Sequence, residues 1–125
     1  MDKPLFITHY PKVIKFFNMK TNSENPQVVN STDLIFPHSG EAVGAEREYE
    51  HKALYEKLKE SNMLRQLVQR GGSISDFQWY LDVYKRYNMP NAGCGIGLNR
   101  VTQFVLGTDD IRATTVFPLN KESLT

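Results

Sequence analysis

Residues Gly93-Cys94-Gly95-Ile96-Gly97-Leu98-Asn99-Arg100 set three glycines at alternate positions and place an arginine at the start of an apolar-periodic stretch. Alternation is the period of a strand, and Leu98, Val101, Phe104, Val105 and Leu106 recur with the period of a helix. The chain must therefore pass from a bare strand straight into a helix. Glycine has no Cβ, so the backbone at Gly93, Gly95 and Gly97 admits a planar ring more closely than any other residue would. Arg100 falls in the first helical turn, where its planar guanidinium can receive an anionic group. Taken alone, the glycines fit a tight strand crossing or a bulge equally well.

The remaining composition narrows the class. A chain of 125 residues is one domain or part of one. With 15 basic and 14 acidic residues, bulk charge does not make it a nucleic-acid coat or a membrane-surface protein. Cys94 is the single cysteine, which excludes an internal disulfide and argues against a zinc cluster. No apolar run reaches the length of a membrane span and the start lacks a secretion signal, so a cytoplasmic protein with no membrane partner is expected.

Read for elements, Pro4 to Tyr10 and Val13 to Lys20 predict two strands joined at Tyr10-Pro11, and Val28 to Phe36 predicts another. Tyr49, Ala53, Leu54 and Leu58 predict a helix from about Arg47 to Lys59, in which Glu46, Glu48 and Glu50 would be solvated charges favouring its first turn. Ser61 would cap a short helix ending at Gly71-Gly72, and Ser75 one from Asp76 to Tyr87. The aromatic stripe of Tyr80, Tyr84 and Tyr87 reads as core rather than as a stacking surface for RNA bases, with Trp79 packed or at its edge. Strands, then helices, then a glycine strand entering a last helix give an α+β fold with a mainly antiparallel sheet and flanking helices. That order weakens a Rossmann reading of the glycines, which would need a βαβ unit with an acidic residue about 20 positions on where a short tail is read instead.

A second constellation runs from Ser39 to Glu48, preceded by Asp33, with polar groups alternating as on a strand. If Asp33 and Glu41 converge from neighbouring strands, the two carboxylates offer hard oxygen ligands to a Mg²⁺ that keeps waters and shares phosphate oxygens with ATP. Arg47 would present a planar fork to a carboxylate or an amide oxygen of a small substrate.

Pro4-Leu5-Phe6-Ile7-Thr8-His9-Tyr10-Pro11, the Gly40-Glu41-Ala42-Val43-Gly44 to Glu48 segment, Gly93 to Arg100, and Asp110-Ile111-Arg112 with Phe117-Pro118 together resemble the asparaginyl-tRNA synthetases and their aspartyl relatives. The similarity runs over nearly the whole chain, and residues 93–100 resemble motif 3 of the class II synthetases. It implies half of a class II catalytic domain over residues 1–125, an antiparallel sheet with flanking helices that activates asparagine or aspartate with ATP and Mg²⁺ and passes it to tRNA. By position, Arg100 resembles the catalytic arginine that holds the ATP γ-phosphate, and Gly95 and Gly97 the floor under adenine. Glu41 with Asp33 resembles the carboxylates carrying Mg²⁺ and ATP, and Arg47 the arginine that reads the amino-acid side chain.

Three features depart from the family pattern. Asn99 stands where an acidic residue is usual, Asn91 where histidine is frequent, and only five residues separate Glu41 from Arg47, one fewer than usual. Nothing resembles motif 1, motif 2 or an anticodon-binding domain, so a complementing N-terminal half or a homo-oligomer is expected and the isolated chain is expected to be inactive alone. Two alternatives stand beside the tRNA ligase: a paralogue that makes an amide from an adenylated acidic amino acid, and a non-catalytic remnant that binds a nucleotide or a partner.

Overall fold

The computed structural model describes residues 3–118, so the ends of the range 1–125 expected as one domain part lie outside the described residues. Four strands, β1 (Leu5–Thr8), β2 (Ser31–Phe36), β3 (Gly40–Glu46) and β4 (Ala92–Gly95), form one antiparallel sheet in the order β1-β2-β3-β4. Four helices accompany it among the described residues: α1 (His51–Glu60), α2 (Asn62–Gln69), α3 (Gln78–Arg86) and α4 (Leu98–Leu106). The fold is the α+β class expected. Two compact units are distinguishable, one of residues 3–7, 32–44 and 94–118, the other of residues 8–31 and 45–93.

In the second unit, α1, α2 and α3 close on a core of Leu54, Leu58, Leu64, Leu81 and Tyr84, with Leu54 and Leu58 at 0% exposure. Leu54 and Leu58 stand one helical turn apart and so share a face. Ser61 serves both neighbouring helices: its hydroxyl donates to the Leu58 carbonyl at 2.7 Å and accepts the Leu64 N–H at 3.1 Å, ending α1 and capping α2. Gly71 follows α2 at φ 87°, the left-handed stop expected there. Phe17 packs edge-on against Phe77 and Tyr80 at 5.9 and 6.1 Å.

Several expectations are corrected. Val13 to Lys20 is not a strand: Pro11, with its fixed φ, leads into a 3-10 turn over Lys12–Ile14, and only Met19 makes a bridge, to Arg47. The helix expected from Arg47 starts at His51, because the Arg47 N–H donates to the Asn91 carbonyl at 2.8 Å and the Glu48 N–H to the Asn18 carbonyl at 2.9 Å, which keeps both residues extended. Ser73, not Ser75, makes the capping box with Asp76, and the first turn after it is 3-10 before α3 begins. Tyr80 and Tyr84 belong to the core as expected, but Tyr87 lies at the end of α3 and is exposed. Trp79 sits at the edge, its ring 5.6 Å from that of Tyr80.

Candidate active site

The β2–β3 hairpin places the two proposed metal ligands. The Glu46 N–H donates to the Asn30 carbonyl at 2.9 Å at the open end of the hairpin, and Asp33 and Glu41 lie on its two neighbouring strands, β2 and β3. Asp33 is buried at 3% exposure, whereas Glu41 is open to solvent. One carboxylate is therefore fixed by its surroundings and the other is free to meet a ligand. Among the described residues no three His, Cys, Asp or Glu side chains gather as a metal site.

The glycine strand enters α4 as the sequence requires. Gly97 is the N-cap of α4, and the Arg100 N–H donates to its carbonyl at 2.9 Å, so Arg100 stands in the first turn. A Cβ added at Gly95 would meet nothing within 4 Å, leaving open space over that residue. A Cβ at Gly97 would lie 3.3 Å from Arg100 Cδ, so there the arginine stem already covers the backbone. The Arg100 side chain runs to the hairpin: Nη1 donates to the Ser39 carbonyl at 3.5 Å, and a Cβ at Gly40 would overlap the guanidinium. Gly40 also has φ 97°, so this position is closed to other residues on two counts. Arg100 is thus brought beside Gly40, the residue preceding Glu41, while Gly95 remains bare.

Arg47 and Gly93 belong to the second unit, where a Cβ on Gly93 would lie 3.2 Å from Arg47 Nη2. The Arg47 guanidinium therefore rests against a glycine backbone. Near it lies a chain of long hydrogen bonds: Asn18 Nδ2 to Tyr80 Oη, Tyr80 Oη to Tyr84 Oη, and Tyr84 Oη to Asn91 Oδ1, each 3.5 Å. Burial first, and then the hydrogen bond to Tyr84, pushes the Tyr80 hydroxyl up to about 12, so it stays protonated and able to donate. The sequence named Asn91 only as a departure; that it joins this tyrosine pair is a tertiary fact. Gln103, a polar residue within the apolar period of α4, was missed altogether, although a lone glutamine among Val101, Phe104 and Val105 was its visible signal.

The chain matches the family model of class II tRNA synthetases (D, K and N) over residues 1–121. It belongs to that family. The asparagine–tRNA ligase of Pyrococcus abyssi is 37% identical over 119 residues, 94% of this chain and 25% of the relative. The asparaginyl-tRNA synthetase of Pyrococcus horikoshii, solved in complex with asparaginyl-adenylate, superposes with a TM-score of 0.80 at 32% identity, covering 97% of this chain and 26% of that one. The aspartyl-tRNA synthetase of Entamoeba histolytica does so with a TM-score of 0.78 at 26% identity, over 96% and 23% of the two chains. This class II chain thus spans about a quarter of the length of the relatives it matches.

Proposed function

We propose that this chain is the motif 3 part of an asparaginyl-type synthetase, acting with the remainder of a class II catalytic domain in the cytoplasm to activate asparagine or aspartate with ATP for transfer to tRNA. The observation that carries this reading is the open backbone at Gly95 followed, one turn into α4, by Arg100 turned toward the hairpin that bears Glu41. An adenine ring would lie over the bare backbone of Gly95, with Gly97 beside it under the Arg100 stem rather than open as expected, while the Arg100 guanidinium exchanges the long bond to Ser39 for a γ-phosphate oxygen. Asp33 and Glu41 would hold Mg²⁺, which neutralises phosphate charge when bound. The amino-acid carboxylate attacks the α-phosphorus, the bond to the bridging oxygen of pyrophosphate breaks, and the aminoacyl-adenylate forms with pyrophosphate leaving. Such an in-line displacement needs charge stabilisation and positioning rather than a protein nucleophile, which is what these residues supply. Arg47, held against Gly93, would read the amino-acid side chain. Similarity to synthetases named for asparagine and solved with asparaginyl-adenylate supports asparagine as the amino acid.

Calorimetric titration of the chain with Mg·ATP tests the site. Arg100→Ala should weaken binding by roughly 1–3 kcal/mol, the scale of a charge-assisted contact, without unfolding the chain. Equal affinity in the two proteins would remove Arg100 from the site. Pyrophosphate exchange, with the missing part of the catalytic domain supplied, then separates asparagine from aspartate, and activation of aspartate with no tRNA dependence would favour the amide-forming paralogue that Asn91 and Asn99 suggest.

A further inference from the structure

Resting on the nucleotide reading above, we propose that Gln103 is a positioning residue whose side-chain amide holds the β2–β3 turn against α4 and so fixes Glu41 relative to Arg100. Gln103 is 5% exposed, and its Nε2 donates to the His38 carbonyl at 3.2 Å. Arg100, three residues earlier and on the same helical face, donates to the next carbonyl of the turn, Ser39, at 3.5 Å. Two successive turn carbonyls are thereby taken by two side chains of one helix. His38 sits at φ 62° and Gly40 at φ 97°, both left-handed, and for His38 that conformation is unfavourable. The buried Ser39 hydroxyl makes no hydrogen bond that would tie the turn. His38 Nδ1 lies 3.7 Å from Asp109 Oδ1, but both side chains are largely exposed and the contact is screened by solvent. The rings of Phe36 and Phe104, 5.4 Å apart, pack the strand before the turn against the residue after Gln103.

The consequence concerns the moment at which nucleotide binds. Arg100 must release Ser39 to reach a phosphate, and from then on the amide of Gln103 is the buried polar tie that keeps the turn, and with it Glu41, in place. Losing that tie should therefore reduce what the metal adds to nucleotide affinity, and should leave the metal-free contacts of Gly95 and Arg100 largely intact.

The test uses Gln103→Met, which keeps the volume and removes the donor, with two readouts on the whole chain: hydrogen exchange of the Gly40 and Glu41 amides without nucleotide, and ATP affinity in Mg²⁺ against EDTA. The expected result is exchange at these amides at least about fivefold faster with α4 still protected. The Mg²⁺-dependent gain in ATP affinity should fall at least about fivefold while affinity in EDTA changes less than about twofold. Unchanged turn exchange together with an unchanged Mg²⁺ gain overturns the proposal, as does an equal loss in Mg²⁺ and EDTA, which a merely structural residue would give. If the parent chain binds no ATP, the nucleotide reading fails, and the exchange measurement still decides whether Gln103 holds the turn. Gln103→Leu, which also removes the donor and adds no charge, gives the same two readouts should Gln103→Met not fold.

Discussion

Lys57 and Glu48 show how a charge that looks ordinary in sequence becomes structural in the folded chain. Their side chains are 12% and 8% exposed, the Lys57 Nζ lies 2.6 Å from Glu48 Oε2, and it also donates to the Met19 carbonyl at 3.0 Å. Glu48 was expected as a solvated acid in the first turn of a helix; instead it precedes α1 and is buried, so it needs a partner rather than a dipole. Lys57→Met should cost roughly 3–5 kcal/mol, because it strands a buried carboxylate. Removing both charges as Lys57→Met with Glu48→Leu should recover most of that loss, because an apolar pair of similar volume avoids desolvation altogether. Urea denaturation of the three proteins reads both effects, and a single variant as stable as the parent would show the pair to be dispensable.

At the scale of elements, the end of β3 is held by charge. The Lys20 ammonium lies 2.8 Å from Glu46 Oε1, and Asn30 Nδ2 donates to Glu46 Oε2 at 2.7 Å. The hydrogen bond from Lys20, and then that from Asn30, hold the Glu46 carboxyl below its ordinary 4.5. A depressed folded pKa means that this stabilisation is complete above the ordinary value and is lost as pH falls through the folded one. The same contact raises Lys20 above 10.5, so its share is complete below that value and is lost as pH rises through the raised one. Glu46→Gln should therefore lose less stability than the parent as pH falls from above the ordinary glutamate value through the lowered one, as read from urea midpoints. Parallel curves for the two proteins would refute the assignment. Most elements were legible because their signals are local: the Ser61 cap, the stop at Gly71, the apolar face of α1 and the strand-to-helix step at Gly97. The failures came where a distant partner decided. Val13 to Lys20 has strand-like residues but no neighbouring strand along its length, and Arg47 has helical neighbours but a carbonyl, that of Asn91, waiting in extended register.

For the whole molecule, the apolar surface left open is the informative property. All four residues of β1, on both faces of the strand, are exposed, among them Leu5, Phe6 and Ile7, and in α4 Leu98, Val105 and Leu106 are exposed as well. A strand at a sheet edge with neither face covered invites pairing with another chain. The chain alone should therefore associate in a concentration-dependent way, seen by sedimentation, and co-expression with the remaining part of a class II catalytic domain should suppress this and yield pyrophosphate exchange. A monomer at all concentrations, inert with that part supplied, would speak for the remnant reading. Family, fold class and the step from the glycine strand to the helix bearing Arg100 were legible in the order along the chain, because a bare strand, a helical period and a cap are written in neighbouring residues. Only the tertiary structure decided that Asp33 is buried while Glu41 is open, that Glu48 needs Lys57, and that Gln103 holds a turn 65 residues away. Those outcomes depend on which distant backbone groups arrive at the same place, and no local pattern of side chains specifies that meeting.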